Sequence, residues 1–134
     1  MKVRQDFVTN SSSSSFVIAK HKDCTREEVE EMLYGIKDKI TSFIYMVDGC
    51  FDCKHSDEIE RAYQNNEMDK VVELVINDLV DSLLKGGYGD GLTLDNWNLH
   101  SVYADNESCN LYRSALYDFG WAMGTEHLKL MNGE

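Results

Sequence analysis

Cys50-Phe51-Asp52-Cys53-Lys54-His55 is the densest run of metal-ligating and nucleophilic side chains in the sequence. Two thiolates separated by two residues can chelate one Zn²⁺, and His55 is close enough to join them. A fourth ligand would have to come from Cys24, Cys109 or His127, and no second CxxC pair exists. Cys50, Cys53 and His55 therefore form a candidate zinc site. It is set against the reading the sequence favours: no cofactor, two ordinary thiols at a turn, and Cys24 and Cys109 in or near the core. A redox role would need the pair at a helix start, whereas Asp48, Asp52 and Asp57 surround it with charge that disfavours a thiolate.

Hydrolysis fares no better. His21, His55, His100 and His127 are scattered, and no serine sits in a G-x-S-x-G elbow. The stretch DGLTLDNWNLH gathers Asp90, Asp95, Asn96, Asn98 and His100, but it lacks the order of oxygen ligands that an EF-hand uses. A solvated acidic loop is the expectation, with Trp97 as an aromatic anchor on its surface and Trp121 in the core. The chain is read as a non-enzyme.

The elements that would position these residues can be read from period and punctuation. SFVIA (15–19) is β-branched and short, and reads as a strand. Thr25 and Glu28 have capping-box spacing before the apolar stripe Val29, Met32, Leu33 and Ile36, which predicts a helix over 26–36. ITSFIYMV (40–47) reads as a second strand, and Ser56 as the cap of a short helix over 57–64. Apolar residues at 68, 72, 75, 79 and 83 predict a long helix over 67–85, stopped by GGYGDG. Strands follow at 99–104 and 126–131, the last at a sheet edge, with a helix over 107–122 between them that buries Leu111, Ala115, Leu116 and Phe119. The sum is a single α+β domain over 1–134: a mostly antiparallel sheet of about four strands covered by three to four helices.

Residues 1–15 end in five consecutive serines, Ser11 to Ser15, between Phe7-Val8 and Phe16-Val17-Ile18. A phosphate-binding loop would need glycines and a Lys-Ser/Thr pair opening a helix, and neither is present. The apolar residues on both sides suggest a tethered polar segment leading into the first strand, with Ser12, Ser13 and Ser14 as candidate contacts. The string RQDFVTNSSSSSFVI resembles an N-terminal signature shared by small bacterial and phage-borne proteins of unknown function. The resemblance covers about eighteen residues and implies only a context: a prokaryotic cytoplasmic protein, carried by a phage or another mobile element.

The net charge is −11, and it is uneven. Residues 1–66 carry 12 acids and 9 bases, whereas residues 67–134 carry 12 acids and 4 bases. Such a surface repels phosphate backbones, which disfavours direct nucleic-acid binding and favours a protein partner with a basic face. No apolar run approaches the roughly 20 residues that span a bilayer, and no secretory signal opens the sequence, so a cytoplasmic, membrane-free protein is expected. The favoured class is an acidic protein-binding module, an inhibitor that occupies the basic nucleic-acid-binding surface of its partner. Its expected contacts are Asp90, Asp95, Trp97, Asp105 and Glu107, together with the serines. Two other classes stay open: a metal-dependent hydrolase or zinc-stabilised domain using Cys50, Cys53 and His55, and a self-associating structural protein.

Overall fold

Strand β1 (Ser13–His21) runs through the centre of the sheet, and the computed structural model describes residues 13–85, 92–106 and 109–132. Its alternation sends Phe16 and Ile18 to one face, where they are 5% and 0% exposed, and leaves Val17 half-buried on the other. Helix α1 (Arg26–Gly35) follows. Thr25 caps it as its spacing predicts, its hydroxyl accepting from the Glu28 N–H at 3.2 Å.

Helix α2 (Lys37–Met46) replaces the strand expected over 40–47. The β-branched residues there suggested a strand, but Ile40, Phe43, Ile44 and Val47 lie at i, i+3, i+4 and i+7. The first three are buried, and Val47 packs against the core. Period outweighs propensity when tertiary burial rewards it. Helix α3 (Ser56–Gln64) begins one residue early: Ser56 lies inside it, and His55 takes the cap position without a side-chain cap bond.

Helix α4 (Met68–Lys85) supplies the spine of the core. Val72, Val75, Ile76, Leu79 and Leu83 are all at most 1% exposed along it, and each such side chain contributes about 1.5–3 kcal/mol through burial. Strand β2 (Leu92–Leu94) and strand β3 (Trp97–Asp105) form a hairpin around Asp95-Asn96. Helix α5 (Leu111–Phe119) is shorter than the expected 107–122, because Asn110 caps it by accepting from the Arg113 N–H at 2.9 Å. A 3₁₀ turn (Gly120–Ala122) leads to strand β4 (Leu128–Asn132).

The four strands of the described residues pair antiparallel, in the order β2-β3-β1-β4, with β4 at one edge. The chain is a single α+β domain, with five α-helices among the described residues. One apolar cluster joins Phe16, Ile18, Val102, Ala104 and Leu128 of the sheet's inner face to the buried stripes of the helices. At the end of that face, Lys20 turns its ammonium to the carbonyl of Leu84 at 2.8 Å, closing the last turn of α4.

Candidate interaction surface

Every side chain on the other face of the sheet lies outside that core. Register puts Leu94, Trp97, Leu99, Tyr103, Val17, Ala19 and Met131 on this outer face, and none belongs to the apolar cluster that the helices cover. Leu94 is 59% exposed, Tyr103 53% and Met131 46%, while Trp97, Leu99 and Val17 are half-buried by their neighbours. Among the described residues the helices pack on one side of the sheet only. The result is a partly exposed apolar patch that shares the face with Ser15, Ser101 and Lys129.

At one end of this face lies a row of rings. Trp97 pairs with His21, with ring centroids 4.9 Å apart in an edge-on arrangement, and His21 lies 5.1 Å from His127. Each imidazole is held by its neighbours. The Asp23 N–H donates to His21 Nδ1 at 3.0 Å, and His127 Nδ1 lies 2.8 Å from Glu28 Oε1. Glu28 also accepts from the His127 backbone N–H at 3.0 Å and from the Thr125 hydroxyl. The Thr125 hydroxyl, and then His127, hold the Glu28 carboxyl down at about 2 from its ordinary 4.5, and Glu28 raises His127 in return. Glu28 therefore ties α1 to the approach of β4 instead of closing a capping box.

The residues singled out from sequence fare unevenly. Trp97 is on strand β3 rather than in a loop, and Asp95 occupies the hairpin turn with φ 56°. Asp105 closes the far end of β3, about 26 Å away at strand rise, and is ion-paired to Arg113 at 3.2 Å. Trp97 and Asp105 thus share one strand, with Asp95 in the turn before it, but the three do not form one patch. Ser13 and Ser14 pair with Asp105 and Ala104 in the β1–β3 ladder. Ser12, Asp90 and Glu107 lie outside the described residues.

The expected acidic loop around 90–100 is in large part the β2–β3 hairpin. His100 is buried on the inner face with no hydrogen-bond partner for its Nε2 among the described residues, and burial lowers its pKa. Trp121, expected in the core, is 73% exposed. It falls two residues beyond Phe119, off the buried stripe, with its Nε1–H on the Asp118 carbonyl and the Lys39 ammonium 5.2 Å from its ring.

The structure does not bring the zinc candidates together. Among the described residues no group of three His, Cys, Asp or Glu side chains could hold a metal ion. Cys50 and Cys109 are exposed, so Cys109 is not near-core. Cys53 is half-buried, and burial, reinforced by Asp78, pushes its thiol up to about 12. His55 turns instead to Asp78, Nδ1 to Oδ1 at 2.6 Å, while its backbone N–H donates to Oδ2 at 3.3 Å.

Asp78 is only 6% exposed and went unnoticed in the sequence. One signal was present: an acid among Val75, Ile76, Leu79 and Val80 on the apolar side of a long helix needs a partner. Here that partner is the start of α3. While His21 and Asp23 stand 3.7 Å apart, two imidazole–carboxylate pairs among the described residues are thus within hydrogen-bond distance, His55–Asp78 and His127–Glu28. Among the described residues neither imidazole holds a serine, threonine or cysteine side chain as a nucleophile would be held. Apart from Trp97, the outer-face apolar residues were also missed, though the alternation of β3 and β1 carried them.

Scans against protein-family models, curated proteins and solved structures give no match to this chain.

Proposed function

We propose that this protein is an acidic protein-binding module that docks through the outer face of its sheet. Its partner carries a basic, nucleic-acid-binding surface, and the module acts there as an inhibitor borne by a phage or another mobile element. The observation that carries the reading is the outer apolar face, over which no second layer packs among the described residues: Leu94, Tyr103 and Met131 are exposed there, with Trp97, Leu99 and Val17 half-buried between them. Exposed apolar area of this kind is costly to leave open, and rimmed by polar groups it suits a partner surface. The charge of −11 supplies the other half of the argument. It speeds encounter with a basic partner, while the apolar face slows escape.

The test is affinity capture from a bacterial lysate, with the chain as bait, at about 50 and about 300 mM salt, across which the Debye length shortens from roughly 14 to 6 Å. One basic protein should be recovered, retained less at the higher salt and displaced by its own nucleic acid. Capture that nucleic acid does not compete would remove the inhibitor reading.

A further inference from the structure

Beyond β2, the outer edge of β3 faces a groove of about 610 Å³, bounded by α4, the start of α5 and the segment 52–54. Leu94 and Trp97 flank a two-residue turn and pair with each other, so odd-numbered residues of β3 aim both backbone groups away from β1. Two contacts agree with that alternation. Arg113 Nε donates to the Tyr103 carbonyl at 3.1 Å, and Ser114 Oγ donates to the Asp105 carbonyl at 3.3 Å. β2 ends opposite Leu99. The Ser101 N–H, the Ser101 C=O and the Tyr103 N–H are left pointing into the groove, with no partner among the described residues.

The walls fit an extended chain. Val102, Leu111 and Tyr112 give an apolar floor, and the Tyr112 hydroxyl is buried without a hydrogen-bond partner. Asp78 and Asp81 are already committed, to His55 and to Arg26. Lys54 and Lys85 are exposed and form no ion pair among the described residues. The groove thus combines unpaired strand-edge groups with two lysines and one exposed carboxylate, Asp52, none of them in an ion pair among the described residues, in a protein whose net charge is −11.

We propose that this groove takes an extended acidic segment of a partner polypeptide, added to the edge of β3 as a further strand in line with β2. Backbone pairing gives the affinity in this mode and alternate side chains give the choice of sequence. Carboxylates on the segment meet Lys54 and Lys85. The site meets the outer face only at Ser101 and Tyr103 and stands whether or not that face binds a partner.

The experiment selects binders from a displayed library of short random peptides on the full chain, then titrates synthetic copies into ¹⁵N-labelled protein. The selected peptides should be rich in Asp and Glu, and should slow amide exchange at Ser101 and Tyr103. Backbone N-methylation along the peptide should weaken binding by about tenfold at alternate positions, one lost hydrogen bond at a time, and little between them. Ser101→Pro, which removes an N–H that the β1 ladder does not use, should abolish binding. Lys54→Glu with Lys85→Glu, which leaves the backbone alone, should weaken it by about tenfold or more. Peptides indifferent to both protein variants, N-methylation tolerated everywhere, failure to select any peptide, or Ser101 and Tyr103 amides already protected in the free protein would each overturn the proposal. Outer-face substitutions such as Met131→Glu should leave peptide binding unchanged, which separates this site from the one proposed for the basic partner.

Discussion

Glu28 sits where a capping box would place it, yet its carboxylate spans to Thr125 and His127, nearly a hundred residues away in the chain. The pH dependence of this clamp follows from two shifts. Glu28 folds with a value of about 2 against an ordinary 4.5, so its contribution is complete above 4.5 and is lost as pH falls toward 2. His127 is raised above 6.5, so its contribution is complete below 6.5 and is lost as pH rises through the folded value. The difference in melting temperature between wild type and Glu28→Gln should therefore be largest between 4.5 and 6.5 and shrink on both sides. Thermal melts across pH 2–9 check this, and a difference independent of pH would remove the clamp. The cysteines give a second residue-scale prediction. Cys53, at about 12, should resist alkylation at pH 8 until the protein unfolds, whereas exposed Cys50 and Cys109 should react first. Mass spectrometry after brief labelling reports the order directly.

Helix α2 shows why an element can be misread while its neighbours are not. Its buried residues recur with helical period, but within ten residues of β-branched and aromatic character the propensities point the other way. Its end is set by backbone conformation: Asp48 and Gly49 both take positive φ, 54° and 67°. A Cβ on Gly49 would lie 2.7 Å from the Tyr63 ring. Gly49→Ala should cost about 2 kcal/mol or more, since both the backbone and the packing oppose it. By contrast, Thr25→Ala should cost about 1 kcal/mol, the ordinary value of a lost cap. Chemical denaturation measures both, and a Gly49→Ala variant as stable as wild type would contradict the packing of α2 on α3. The long helix, the terminal helix stripe and strands β1, β3 and β4 were legible because each carries a periodic pattern of one kind, whereas the three-residue β2 is too short to show one and read as loop. The outer sheet face was not, because half-buried residues on an alternating strand look the same whether a second layer covers them or not.

At the scale of the molecule, charge and the one-sided sheet divide the work of binding. Nothing in the sequence pairs Leu94 of β2 with Trp97 of β3, His21 of β1 and Met131 of β4; strand order does so, and it comes only from tertiary pairing. Composition announced the acidity, and spacing announced the cysteine cluster, whose His55 and Cys53 the fold commits to Asp78 while Cys50 stays exposed. The central claim is that the outer face binds a protein partner. Its most direct measurement is a titration of the captured partner against wild type and against the Trp97→Ala, Met131→Glu double variant, both confirmed folded by circular dichroism. The account predicts that the double variant binds at least about 30-fold more weakly, chiefly through faster dissociation, as the loss of a buried aromatic anchor should. Equal affinity for the two proteins would contradict it.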